Sequence, residues 1–130
     1  MPEAAVRLAY GADPSILREI RERIEEVAQR MLSPSECEDL KVAVTEACAN
    51  AVLHSGTHEV RVTITPLGSS CVEVLIEDDG LYREVPSPVD GDSKAHRGLI
   101  LMAAMVDDLS LHRGTEGATG TQVRLRKCAS

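Results

Sequence analysis

From Ser33 to Gly56 the chain reads as one long helix with a polar stripe cut into it, and that run limits what the rest can fold into. Ser33-Pro34-Ser35-Glu36 is a start signal: the Ser33 hydroxyl can accept from the Glu36 amide, the Glu36 side chain can reach back, and Pro34 is preset for helix. Ser55-Gly56 supplies the stop. A helix is therefore expected from about Pro34 to about His54, with Leu40, Val44, Ala47, Cys48 and Ala51 on its buried side. Glu46, Asn50 and His54 stand at i, i+4 and i+8, a spacing that drifts only slowly around a helix, so all three can face one cavity. An acid, an amide and an imidazole at one cavity suit a metal and phosphates.

The flanking sequence supplies a sheet for that helix to cover. Val6, Leu8 and Tyr10 alternate as a short opening strand. Asp13 and Pro14 can start a first helix, in which Ile16, Ile20, Ile24, Val27 and Met31 form an apolar stripe opposite a charged face from Arg18 to Glu26. After the long helix come two alternating runs, Val60 to Ile64 and Val72 to Ile76, around Pro66-Leu67-Gly68-Ser69-Ser70, which predicts a hairpin. The second run ends in Asp78-Asp79-Gly80, which offers a carboxylate and a close-approach turn at the same cavity. Leu81 to Arg97 is too polar and too broken by Pro86, Pro88 and Gly91 to be a core element, so a long loop is expected there. Gly98 is expected to open an apolar third helix to Val106, and Leu109 to His112 with Thr121 to Leu125 read as a second hairpin.

Composition excludes several classes. At 130 residues, 43% hydrophobic and 27% charged, the chain has the make-up of one globular domain spanning 1–130 rather than a disordered segment. A net charge of −7, no Phe, no Trp and only Tyr10 and Tyr82 leave neither a basic face nor an aromatic platform for nucleic acid. No stretch approaches the roughly 20 apolar residues that span a bilayer, and the N-terminus lacks the apolar core of a signal peptide, so no membrane association and a cytoplasmic location are expected. Cys37, Cys48, Cys71 and Cys128 form no close pair in sequence, which argues for reduced, mostly buried thiols over a zinc site.

Four motifs in order then resemble one family. Glu46-x-x-x-Asn50 matches the N-box, Ile76-x-Asp78-x-Gly80 the first glycine box, and Arg97-Gly98-Leu99-x-Leu101-Met102 the second glycine box of the GHKL (Bergerat-fold) ATP-binding superfamily. Gly120-Thr121-x-Val123-x-Leu125 is similar to its closing strand motif. Within it, the chain looks most like the bacterial anti-sigma-factor serine-protein kinases. The resemblance implies an α+β fold: a two-layer sandwich of a mixed β-sheet on about three helices, with an ATP lid at about 81–97. It also implies ATP and Mg2+ as ligands, with Asn50 the metal ligand and Glu46 the catalytic base.

In the same reading, Asp78 accepts from the adenine amino group, Gly80 lets the chain pass the base, and Thr121 sits near the adenine. Arg97, Gly98 and Leu99 line the phosphate side, where a helix N-terminus offers free amides, and His54 is a further contact. The partners implied are a sigma factor and a STAS-domain anti-anti-sigma protein that is phosphorylated, and a homodimer is compatible with the family. The sequence departs from the pattern at Tyr82, where a second glycine is usual, and at His96, near the glycine expected before Gly98. Those departures keep an alternative open: a non-catalytic partner-switch protein that binds through its first helix and keeps the fold as a scaffold.

Overall fold

The structure, a computed structural model, describes residues 5–54, 59–79, 94–113 and 120–130, and for 53, 54, 94–98 and 113 the backbone only. The long helix forms as its start signal requires. Ser33 N donates to Glu36 Oε1 at 2.8 Å and Glu36 N donates to Ser33 Oγ at 3.2 Å, a reciprocal capping box. From it α2 runs over Pro34–His54, a length of about 30 Å at the helical rise. Leu40, Val44, Ala47, Cys48 and Ala51 are buried along it, joined by Cys37 and Ala43.

Ahead of α2 come the strand β1 (Val6–Gly11) and the helix α1 (Ile16–Ala28). The helix starts two residues later than Pro14, because Asp13 Oδ1 accepts from Ser15 N at 2.9 Å and holds 13–15 as a turn. Its Ile16, Ile20, Ile24 and Val27 are buried, with Met31 packed against the same cluster. Beyond α2 lie β2 (Glu59–Leu67), β3 (Cys71–Asp78), α3 (Lys94–Met105), β4 (Asp108–Arg113) and β5 (Thr121–Cys128). The β2–β3 hairpin turns at Gly68, whose φ of 63° is the left-handed conformation a glycine tolerates best. Pro66 lies inside β2, beyond the last described β1–β2 pair, Val6 with Ile64.

The sheet order is β1-β2-β3-β5-β4, and every adjacent pair is antiparallel. The mixed sheet implied by the resemblance therefore becomes an antiparallel one, for a topological reason. α3 carries the chain across so that β3 and β4 point the same way, but β5 inserts between them and runs against both. Period-2 alternation turns Val60, Val62, Ile64, Val72, Val74, Ile76, Val123 and Leu125 toward the helices, in one buried cluster with α1, α2 and Met102 of α3. Burying each such side chain is worth about 1.5–3 kcal/mol, so this inner face dominates stability. The opposite face is polar and bears cross-strand pairs such as Arg124 Nε to Glu73 Oε1 at 3.4 Å and Gln122 Nε2 to Glu77 Oε2 at 3.0 Å. Exposed pairs of this kind contribute little energy and chiefly reinforce register.

Two further expectations need correction. The third helix begins at Lys94 rather than Gly98, because Lys94-Ala95-His96-Arg97 join the helix and the apolar run from Leu99 only continues it. The last four residues of the expected lid segment are thus helical. The cysteines divide two and two: Cys37 and Cys48 are free and buried, whereas Cys71 and Cys128 are joined in a disulfide. Fifty-seven residues separate that pair in sequence, and only the β3–β5 register brings them together. Among the described residues no helix is long and apolar enough to cross a membrane.

Candidate functional site

Strand register assembles the site at one end of the sheet. Asp78, the last residue of β3, lies opposite Val60 at the start of β2 and opposite Thr121 at the start of β5. Its side chain is 7% exposed, and among the described residues it is the sole buried charged group. A carboxylate at such a position costs several kcal/mol to desolvate unless a specific partner meets it. β2 begins five residues after α2 ends at His54, a reach of at most roughly 18 Å. The C-terminal end of α2 is therefore within that reach of the start of β2, where Val60 pairs with Asp78.

Gly120 makes the approach of β5 to that pole possible. It has φ of 115°, and a Cβ there would stand 2.5 Å from the backbone oxygen of Asp78. Any side chain would push β5 off β3 at the point where Thr121 pairs with Asp78. Sequence reasoning placed Gly120 within a motif but not among the site residues. The available signal was a glycine directly before a β strand, which marks a close backbone approach.

On α2, Glu46 and Asn50 are both half-buried. The bland expectation for Glu46 is a surface pair with Lys41, but Lys41 is taken. Its ammonium lies within ion-pair distance of Glu38 and 3.0 Å from Glu25 Oε2, which together hold its pKa above the ordinary lysine value. Among the described residues neither the Glu46 carboxylate nor the Asn50 carboxamide makes a hydrogen bond or ion pair. Both groups stay accessible from solvent, so a ligand can reach them. Glu46 also lines one end of a groove of about 570 Å³ between α1 and α2, with Arg18, Arg21, Lys41 and Val42 along it. Cys48, between the two polar residues, turns inward; burial pushes its thiol up to about 12, so it is inert filling rather than a nucleophile.

The other expected residues divide. Leu99 of α3 is half-buried against the core, and Thr121 is half-buried at the start of β5. Arg97 and Gly98 lie within α3, so the free amides of a helix N-terminus belong to 94–97 rather than to Gly98. His54 closes α2. Gly80 and Tyr82 fall outside the described residues.

The Asn50 carboxamide oxygen is a hard donor without a protein partner among the described residues, which fits one ligand of a magnesium ion that takes its remaining oxygens from water and phosphate. Among the described residues no group of three or more His, Cys, Asp or Glu side chains forms an all-protein metal cage.

Comparison with known proteins identifies the fold and the family. The chain is 30% identical over 122 residues to serine-protein kinase RsbW of Bacillus velezensis, covering 82% of this chain and 76% of that protein. It is 31% identical over 120 residues to serine-protein kinase RsbW of Bacillus subtilis, covering 80% and 75%. Among solved structures, the RsbU and RsbW domains of Rv1364c from Mycobacterium tuberculosis superpose with a TM-score of 0.71 at 20% identity, over 98% of this chain and 32% of that one. The mycobacterial sensor histidine kinase MprB gives 0.56 at 15% identity, over 96% and 97%. The profile of the histidine kinase-like ATPase domain matches residues 10–127, and the chain belongs to that family.

Proposed function

We propose that this chain is an ATP-dependent serine/threonine protein kinase of the anti-sigma-factor type. It binds Mg-ATP, holds a sigma factor inactive, and phosphorylates a STAS-domain anti-anti-sigma partner, in the cytoplasm and without touching nucleic acid or membrane. The observation that carries this reading is the pair Glu46 and Asn50, one turn apart on α2 and unpartnered among the described residues, in a fold that also buries Asp78 at the end of β3. The similarity to two serine-protein kinases over most of the chain supports it.

Each residue has a task in that reaction. The Asp78 carboxylate accepts from the exocyclic amino group of adenine, and Thr121, opposite it in register, borders the same base. Gly80 lets the chain pass close to the ring, while Arg97, the first amides of α3 and Leu99 bound the phosphate side with His54. Asn50 holds the metal, which when bound supplies charge neutralisation at the transferring phosphoryl group. Glu46, free of Lys41, takes the proton from the incoming serine hydroxyl as oxygen attacks the γ-phosphorus, and ADP leaves. The chain works in this reading as a homodimer.

The test is transfer of radiolabelled γ-phosphate from ATP and magnesium to a purified STAS partner by the full chain. Labelled serine on the partner, lost in a Glu46→Gln variant, is the expected outcome. Absence of transfer while ATP and the partner both still bind would replace the kinase with the non-catalytic binding protein.

A further inference from the structure

The pole opposite the candidate site holds the one covalent cross-link among the described residues, and its surroundings assign it a role. Ala129 N donates to Ser70 O at 2.7 Å, which makes Cys71 and Cys128 a non-hydrogen-bonded pair of the antiparallel ladder. At such a pair the two backbones come closest and the side chains leave on the same face; here the Cα atoms are 4.0 Å apart. That face is the polar one, and both cysteines are partly exposed. The Cys128 amide, unused in the ladder, donates to Asp107 Oδ2 at 2.7 Å. Lys127 Nζ lies 3.6 Å from Asp39 Oδ2, and Ser130 N donates to Glu36 Oε2 at 2.9 Å. The end of β5 is thus fastened to β3, β4 and α2 by contacts that do not depend on the sulfur bond.

We propose that Cys71 and Cys128 form a reversible redox site that clamps β3 to β5. Because backbone contacts hold the two sulfurs together in either state, the pair can open and reclose without refolding. Closure needs a small-molecule disulfide such as oxidised glutathione. One cysteine, losing its proton, attacks that disulfide and expels one glutathione thiolate. The second cysteine, also deprotonated, attacks the protein-bound sulfur of the mixed disulfide and expels the other, so two thiols are oxidised as one disulfide is reduced. Cys37 and Cys48 do not compete, since both are buried and burial raises both thiols above the ordinary range.

The cross-link closes a loop of 57 residues that contains α3 and β4, a length at which a disulfide strongly restricts the unfolded and partly opened chain. The same two strands carry Asp78 and Thr121 at their other ends, so the clamp also resists the separation of β3 from β5 at the site. The proposal is independent of what the site binds.

Equilibrating the full chain across a range of reduced-to-oxidised glutathione ratios, trapping free thiols with iodoacetamide and weighing the intact protein tests it. The expected result is a reversible transition confined to Cys71 and Cys128, with the closed form melting about 10 °C above the open form. Amide exchange at Val123 and Leu125 should slow about tenfold on closure. A Cys71→Ser variant should melt identically in both buffers. A pair that stays closed, or stays open, at every ratio would overturn the proposal. So would equal melting of the two forms, or a redox-dependent melting gap that survives in Cys71→Ser.

Discussion

The two ends of the molecule solve opposite problems with the same three elements. At one end the start of α2, the start of β3 and the end of β5 are tied together by the Ser130–Glu36 hydrogen bond, the Lys127–Asp39 pair and a disulfide, beside the Glu36 capping box within α2 and the Cys128–Asp107 hydrogen bond. At the other end the end of β3 and the start of β5 hold Asp78 opposite Thr121, and on α2 Glu46 and Asn50 are left unpartnered among the described residues. One pole spends its polar groups on itself. On α2, by contrast, Glu46 and Asn50 keep their polar groups without protein partners among the described residues, as a site that binds and releases a ligand requires.

The largest effect that would sharpen this contrast is on chemistry. Glu46→Gln should lower the rate of phosphate transfer by about 100-fold or more, while ATP affinity and melting temperature stay near wild type. Loss of stability instead would mean that Glu46 belongs to the scaffold.

Gly120→Ala tests where the contrast breaks, because here the site pole is also structural. The new Cβ meets the Asp78 carbonyl at 2.5 Å and the backbone has a positive φ. A destabilisation of about 2 kcal/mol in urea unfolding is expected, accompanied by weaker ATP binding. A neutral result would show that the approach of β5 to β3 is looser than its register implies.

The smallest effect lies at the anchored pole and depends on pH. Donation from the Ser33 amide, then from the Ser130 amide, lowers the Glu36 pKa from 4.5 to about 2. A carboxylate whose pKa falls on folding stabilises the fold above the unfolded value and loses that contribution as pH drops through the folded one. Thermal melts should therefore separate wild type from Glu36→Gln fully at pH 7, progressively less below pH 4.5, and not at all near pH 2. ATP affinity at pH 7 should not change. A gap independent of pH would assign the effect to helix capping geometry alone.

What the sequence disclosed follows the same division. Local signals were legible: Ser33 and Glu36 form the predicted box, α2 ends at His54 as expected, and the alternating runs became β2, β3 and β5 with their apolar faces inward. The fold class was legible too, because four motifs in order carried it. Long-range facts were hidden. The Cys71–Cys128 bond depends on β5 inserting next to β3, which no local pattern encodes. The early start of α3 was missed because Lys94 to Arg97 carry no apolar periodicity, and helix continuity from Leu99 extends backwards over them. At the site, the motif spacing named Asp78, Asn50 and Glu46, but only the structure revealed that Lys41 is engaged by Glu25 and Glu38 and leaves Glu46 open.

The most direct test is calorimetric titration of the full chain with ATP, with and without magnesium, beside an Asp78→Asn variant. The account predicts one saturable ATP site per chain that tightens with magnesium and weakens at least about 30-fold in the variant, roughly the cost of leaving one buried charged hydrogen bond unmade. Equal binding by the two proteins, or no binding by the wild type, would contradict it.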